Sequence, residues 1–135
     1  MATTKKKKKR KRKCRYKRGE HVSSLTGASY KFRSAWEQKV MIYLDTCPYV
    51  ESWTYEKTVI EYISNIRTKK VRKYYPDFLV KYKSGLVEII EVKPKRKLEQ
   101  LTVKKKSLAA HGWCKENGMT YRIFTEIELK DLGIL

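Results

Sequence analysis

The stretch YYPDFLVKYKSGLVEIIEVKP, residues 74–94, decides the fold. Apolar and β-branched residues lie on both sides of the short loop Lys83-Ser84-Gly85, a pattern typical of two antiparallel strands. A three-residue loop whose glycine takes the left-handed conformation pairs Tyr82 with Leu86. The sequence therefore predicts a β-hairpin and also the register of its two strands.

That register brings two acidic residues together. Counting back from the pair next to the loop places Asp77 directly opposite Glu91, with Lys93 on the same face of the sheet. Two opposed carboxylates destabilise a sheet, yet the neighbouring residues in both strands are apolar. A cation between the carboxylates best explains the pair, and oxygen ligands of this kind suit Mg²⁺ or Mn²⁺. The simpler alternatives are a salt bridge between Glu91 and Lys93, and a turn role for Asp77.

The remaining sequence predicts the order α-β-β-β-α-β with a short helix after it. The predicted elements are a helix over 33–46, a strand over 50–63, a turn over 64–70, strands over 71–82 and 86–93, a helix over 98–117, a strand over 120–124 and a helical turn over 125–132. In the second long helix we expect Leu98, Leu101, Leu108 and Trp113 to form the apolar face. This order fits an α/β fold with a small mixed sheet of about four strands flanked by helices.

The charges separate a basic tail from the rest of the chain. The 135 residues carry 33 Lys and Arg against 14 Asp and Glu, a formal net charge of +19, which favours polyanionic partners. Residues 5–18 hold 12 of the cations and no acid, and the remainder has a net charge of +7. We predict a disordered tail and linker over residues 1–29 and one folded domain over residues 30–135.

The tail is predicted to hold DNA by neutralising phosphates. Three basic residues just past the strand that carries Glu91 extend the predicted DNA-binding surface. The predicted DNA-binding residues are Lys5, Lys6, Lys7, Lys8, Lys9, Arg10, Lys11, Arg12, Lys13, Arg15, Lys17, Arg18, Lys95, Arg96 and Lys97. A nuclear targeting signal is the alternative function of the tail.

Other classes of protein are excluded by what the sequence lacks. No apolar stretch is long enough for a membrane span, and the N-terminus has no apolar signal segment. The three cysteines, Cys14, Cys47 and Cys114, are scattered without a CxxC pair. That pattern indicates a reducing compartment and argues against a structural zinc site.

Pro76-Asp77 followed by Glu91-Val92-Lys93 resembles the motif of the PD-(D/E)XK nuclease superfamily, which has a restriction-endonuclease-like core. A closer likeness runs from about residue 30 to residue 94 and includes the preceding helix. The segments Phe32-Arg33-Ser34-x-Trp36-Glu37, Pro48-x-Val50-x-x-Trp53, Tyr74-Tyr75-Pro76-Asp77-Phe78 and Glu91-Val92-Lys93-Pro94 resemble the head completion nucleases of T4-type tailed phages. More loosely, they resemble the catalytic domain of TnsA-like transposon endonucleases.

The resemblance implies Mg²⁺-dependent hydrolysis of DNA phosphodiesters, with Asp77 and Glu91 as metal ligands. Lys93 would stabilise charge and position water. Glu37 matches the acidic residue on the first core helix of the superfamily, which would make it a further catalytic and metal-site residue. The alternative for Glu37 is purely structural, because Ser34 and Glu37 have the spacing of a helix capping box.

In phages the resemblance implies work on packaged DNA during head maturation. The expected partners are then DNA and phage head or portal proteins. The expected location is the cytoplasm of a host bacterium or the virion, and a homodimer is an expected state because restriction-like nucleases often pair to cut two strands.

Three other functions fit part of the sequence. One is a TnsA-like endonuclease acting at transposon ends, and another is a non-catalytic DNA-binding protein on a nuclease-like fold. A basic protein of the ribosomal or RNA-packaging type would explain the tail, but not carboxylates set among Ile and Val.

Overall fold

The computed structural model describes residues 18–135, so the predictions for residues 1–17 lie outside the described residues. The elements in chain order are β1 (Gly19–Val22), β2 (Ser29–Phe32), α1 (Ala35–Thr46), β3 (Val50–Tyr55), β4 (Ile60–Asn65), β5 (Lys70–Tyr74), β6 (Phe78–Tyr82), β7 (Val87–Val92), a 3₁₀ turn (Lys95–Lys97), α2 (Leu101–Glu116), β8 (Thr120–Phe124) and α3 (Glu126–Asp131).

A four-stranded mixed sheet lies at the centre, in the order β3-β6-β7-β8. The β3–β6 and β6–β7 pairs are antiparallel, whereas β7 and β8 are parallel. Parallel neighbours need a long crossover connection, and α2 lies within it. Helices flank the sheet, and the predicted fold class is confirmed.

The predicted hairpin register is also confirmed. The N–H of Tyr82 donates to the carbonyl of Leu86 at 2.9 Å, and Gly85 has φ +92°. Phe78 pairs with Ile90 farther along the hairpin. One more step along the same register places Asp77 opposite Glu91.

Buried side chains form two clusters, one on each face of the sheet, because alternate strand residues point to opposite faces. The first lies among the sheet, α1, α3 and β2, and comprises Tyr30, Phe32, Val40, Met41, Leu44, Val50, Trp53, Tyr55, Phe78, Val80, Ile90, Phe124 and Leu129. The second lies between the sheet and α2, and comprises Ile60, Tyr62, Tyr74, Ile89, Ala110, Cys114 and Tyr121.

Two of the predicted strands are wrong in length, since each is interrupted. The predicted strand over 50–63 is β3 and β4, separated near Glu56, which has φ +51° and so cannot continue an extended strand. The predicted strand over 71–82 is β5 and β6, separated at Tyr75-Pro76-Asp77, where proline cannot donate a ladder hydrogen bond. As a consequence β4 and β5 form a separate two-stranded hairpin.

A second hairpin occupies the segment predicted as a linker. Strands β1 and β2 pair between Gly19 and Phe32, and the side chains of Tyr30 and Phe32 are buried in the first cluster. Asp45 of α1 fastens this hairpin, since its carboxylate accepts from His21 at 2.7 Å and from the Ser23 hydroxyl. Ordered strands therefore precede Tyr30, the predicted first residue of the folded domain.

Helix α2 begins three residues after the start of the predicted helix, and its predicted apolar face is only partly right: Trp113 packs against the second cluster, whereas Leu98 precedes the helix. Leu101 and Leu108 are 66% and 76% exposed, whereas Ala110 and Cys114 are buried. The helix therefore buries a face that carries small side chains, and the two larger leucines lie on its solvent face. Within residues 18–135, no helix is long and apolar enough to cross a membrane.

Candidate active site

Asp77 and Glu91 meet where β6 begins and β7 ends. The backbone N–H of Asp77 donates to Oε2 of Glu91 at 3.1 Å, and Oδ2 of Asp77 accepts from the N–H of Val92 at 2.8 Å. Both residues are at least nine-tenths buried. These bonds use one oxygen of each carboxylate and fix the direction of the other.

Crowded negative charge makes this pair costly to ionise. Burial raises the pKa of Asp77 well above its usual range, and the carboxylates of Glu91 and Glu37 raise it further. Burial also raises the pKa of Glu91, although Tyr74 and Lys93 oppose the shift. A bound cation would relieve this repulsion directly.

Lys93 provides positive charge at the same place. Its Nζ lies 3.8 Å from Oε1 of Glu91, and its side chain is 28% exposed. The backbone N–H of Lys93 donates to the carbonyl of Phe124 on β8 at 3.0 Å, which anchors the residue beyond the end of β7. The predicted grouping of Asp77, Glu91 and Lys93 is therefore present.

Glu37 lines the same cleft from the first turn of α1. Its backbone N–H donates to the Ser34 hydroxyl at 3.1 Å, so Ser34 is the N-cap as predicted. Its carboxylate accepts from the Tyr55 hydroxyl, at 3.0 Å to each oxygen. Burial raises the pKa of Glu37, and the Tyr55 bond opposes this. The side chain of Glu37 is thus held by Tyr55 inside the protein.

Tyr74 is a site residue whose role the sequence did not reveal. Its buried hydroxyl donates to Oε2 of Glu91 at 2.7 Å and lies 3.2 Å from the hydroxyl of Tyr121 on β8. The sequence alone indicates no bonding partner for the Tyr74 hydroxyl, because the contact depends on a strand break at Pro76 and on a parallel strand far along the chain. The available signals are the position of Tyr74 three residues before Asp77 and its place in the segment Tyr74-Tyr75-Pro76-Asp77-Phe78 that carries the family resemblance.

After Tyr74, Glu56 is the second cleft residue that the sequence did not indicate, since its place in a predicted strand favours a solvent-exposed strand face. It has the left-handed φ of +51°, and its N–H donates to the carbonyl of Asp77 at 2.9 Å. Its carboxylate forms an ion pair with Arg33 at 3.1 Å. A non-glycine residue in this conformation is uncommon, and here the strain is located beside the catalytic candidates.

The cleft has a volume of about 1090 Å³, and seven Lys and Arg against five Asp and Glu line it, so its walls are basic on balance. Of the predicted DNA-binding residues, Arg18, Arg96 and Lys97 line it. Lys95 is exposed next to it, and its N–H donates to the carboxylate of Glu126 at 3.2 Å. The remaining predicted residues, Lys5 to Lys17, lie outside the described residues.

The donor set suits a hard divalent cation better than a softer one. Asp77 and Glu91 offer carboxylate oxygens, the ligands that Mg²⁺ prefers together with water and substrate phosphate. Within residues 18–135, no group of three His, Cys, Asp or Glu side chains is arranged to hold a metal. Glu37 therefore shares the cleft with the pair without completing a three-carboxylate group.

Comparison with known proteins gives two matches. Residues 47–126 match the model of the TnsA-like endonuclease N-terminal family. The chain is also 32% identical over 138 residues to the head completion nuclease of Enterobacteria phage T4, a match that covers 84% of this chain and 91% of the phage protein. Asp77, Glu91 and Lys93 lie inside the range of the family match, whereas Glu37 precedes it.

Proposed function

The chain belongs to the TnsA-like endonuclease family, and we propose that it is a metal-dependent DNA endonuclease with Asp77, Glu91 and Lys93 in its active site. The observation that carries the proposal is the opposed Asp77–Glu91 pair beside Lys93 in a basic cleft. Buried carboxylates whose pKa is raised by burial and by a nearby carboxylate, as that of Asp77 is, are typical of functional sites.

Asp77 and Glu91 would hold Mg²⁺, or Mn²⁺ in its place, through the oxygens that face the cleft. The metal supplies Lewis acidity toward a phosphate oxygen and lowers the pKa of water. The contacts from Val92 and Tyr74 keep the two carboxylates in position before any cation binds. This preorganisation saves reorganisation energy during the reaction.

The charged side chains around the pair complete the proposed mechanism. Lys93 Nζ stabilises the negative charge that develops on the scissile phosphate and orients the attacking water. Glu37, held by Tyr55, supports the network of water around that site rather than binding the metal directly. The basic walls of the cleft hold the flanking phosphates.

The biological role we propose is completion of the phage head, on packaged DNA. The relative that carries this name is matched over 91% of its length, which leaves little of that protein without a counterpart here. Phage head or portal proteins are then the proposed partners, and a homodimer would allow both strands to be cut. Action at transposon ends is the second candidate, supported by the family match over residues 47–126.

A plasmid-cutting assay tests the enzymatic proposal. Purified full-length protein is expected to nick or linearise plasmid in Mg²⁺ or Mn²⁺ and to stop in EDTA. Lys93→Ala is expected to bind plasmid but to lose at least about a hundredfold in cutting rate, the usual effect of removing one electrostatic stabiliser. Full activity in EDTA, or of Lys93→Ala, would overturn the proposed site.

A further inference from the structure

The β4–β5 hairpin is separate from the central sheet and ends in an exposed turn. Ile60 and Tyr62 pack its base against the second cluster, and Lys105 of α2 donates to the carbonyl of Ser64 at 2.7 Å. The turn itself is ordered by the side chain of Asn65, which accepts from the N–H of Arg67 at 3.0 Å and from that of Thr68 at 3.3 Å. The hairpin is thus a braced projection with a defined tip.

Basic charge is concentrated on this projection. Residues 60–74 contain five Lys and Arg against one acid, a net charge of +4, whereas all of residues 18–135 contain 22 against 14, a net charge of +8. Half of the net charge of the described chain therefore lies on one small hairpin. The partner that such a surface complements is a polyanion.

The same hairpin exposes apolar side chains. Ile63 and Val71 pair across the outer face and are 54% and 56% exposed, and Ile66 at the tip is 83% exposed. A β-ribbon of this kind fits a groove of duplex DNA, and isoleucine is one of the side chains that architectural proteins wedge against base steps. Because apolar side chains lie among the cations, this surface suits binding in a groove of duplex DNA better than contact with phosphates alone.

The hairpin is continuous with the active-site cleft. Lys73 and Tyr74 at the end of β5 line the cleft, and the Tyr74 hydroxyl donates to Glu91. From Lys69 at the tip, five steps along β5 reach Tyr74, a span of roughly 17 Å at the rise of an extended strand. That distance corresponds to about five base pairs at 3.4 Å each.

We propose that the β4–β5 hairpin is a DNA-binding ribbon that enters a groove of the duplex about five base pairs from the cleavage site, with Ile66 as its apolar contact. This inference rests on the proposed function in that the ligand is the DNA the enzyme cuts. It adds a contact that fixes the position of the duplex relative to Asp77 and Glu91.

Fluorescence anisotropy with a short labelled duplex, in Ca²⁺ and with the probe checked for integrity, tests the proposal. Ile66→Ser is expected to weaken duplex binding about fivefold or more and to leave binding of the single strand unchanged. Arg67→Gln combined with Lys73→Gln is expected to flatten the slope of log K against log salt by about 0.9 for each phosphate that is no longer neutralised. The matched controls are Leu86→Ser and Lys83→Gln. Both residues lie at the loop of the β6–β7 hairpin, at the end away from Asp77 and Glu91, and both variants should bind DNA like the parent.

The outcomes separate this proposal from the enzymatic one. If the parent cuts DNA and the hairpin variants bind the duplex normally, the ribbon is wrong, and its apolar face is a surface for a protein. If the hairpin variants lose duplex affinity but the parent never cuts in Mg²⁺, the ribbon stands and the nuclease proposal fails. Equal weakening by the control variants, or a parent that binds no DNA, would also overturn the ribbon.

Discussion

The backbone N–H of Asp77 donates to the carboxylate of Glu91 at 3.1 Å, so the two acidic residues of the site are joined by a hydrogen bond as well as opposed in charge. The bond offsets only part of the cost, since burial still raises the pKa of both side chains, and the negative charges of Glu91 and Glu37 raise that of Asp77 further. Hydrogen bonds therefore hold the two carboxylates in position, but their ionisation remains costly.

Replacing Asp77 is expected to separate stability from activity. Asp77→Asn keeps an acceptor for the Val92 N–H and removes a buried charge. Without metal, its free energy of unfolding from urea titration should therefore exceed that of the parent by about 1–2 kcal/mol at neutral pH. It should not cut plasmid, and Mg²⁺ should raise the melting temperature of the parent but not of the variant. A variant less stable than the metal-free parent would show that the charge at residue 77 is not destabilising.

Glu37 is expected to matter for cutting and not for capping. Glu37→Gln retains an acceptor for the Tyr55 hydroxyl but loses the charge, so it should melt like the parent and cut DNA at least about tenfold more slowly. Ser34→Ala is the converse variant, expected to lose about 1 kcal/mol of stability with little change in cutting rate per folded molecule. Glu37 has no catalytic role if Glu37→Gln cuts as fast as the parent.

Tyr74 is expected to act by positioning Glu91. Tyr74→Phe removes the hydroxyl that donates to Glu91 and should raise the Mg²⁺ concentration needed for half-maximal cutting by about tenfold, the scale of losses at residues that orient metal ligands. Tyr75→Phe is the control, because Tyr75 is 47% exposed and the substitution keeps the aromatic ring. A uniform loss of rate at every Mg²⁺ concentration would contradict the positioning role.

The basic tail is expected to add affinity without adding catalysis. Deleting residues 1–17 removes 11 Lys and Arg and no acid. DNA binding should weaken, and the salt dependence of log K should flatten by about 0.9 for every phosphate that the tail had neutralised, while the melting temperature stays the same. An unchanged salt slope in the truncated protein would mean that the tail has another function.

Asp45 is expected to make stability depend on acid pH. Burial alone raises the pKa of Asp45, but hydrogen bonds from Ser23, His21 and Trp53 outweigh it and hold the pKa below its ordinary value of 3.8. The stabilisation is thus complete above that value and is lost as the pH falls through the lower folded-state pKa. Asp45→Asn should cost about 2–3 kcal/mol at pH 7.

Urea titrations at several pH values check this expectation. The difference in unfolding free energy between the parent and Asp45→Asn should begin to narrow as the pH falls below about 4, where Asp45 becomes neutral in the unfolded state, and should close only below the lower folded-state pKa. Asp131→Asn is the matched control because Asp131 is exposed, and it should change stability little at any pH. If the difference in unfolding free energy stayed constant across the pH range, the hydrogen bonds to residue 45 would not require its negative charge.

The parts of the fold that depend on local geometry could be predicted from the sequence. Gly85 closes a short loop, and the loop sets the register that brings Asp77 to Glu91, so the centre of the site follows from one hairpin. Ser34 and the apolar spacing after it likewise determine where α1 begins.

The parts that depend on distant contacts could not be predicted. Nothing in the sequence marks Glu56 as a left-handed residue, so the end of β3 could not be placed. Leu101 and Leu108 have helical spacing and yet lie in solvent, because the helix buries the face that carries Ala110 and Cys114 instead. The bond from Tyr74 to Tyr121 joins residues that no local pattern relates.

The parallel pairing of β7 with β8 also sets an order of events during translation. Asp77 and Glu91 lie on a local hairpin that a nascent chain can form as soon as β7 has left the ribosome. Tyr121 and the partner strand of β7 are made only after the whole of α2, and such long-range pairing forms late. A ribosome-bound chain that lacks β8 therefore has both acidic residues but an unpaired β7 edge, and the site is complete only after β8 has been made.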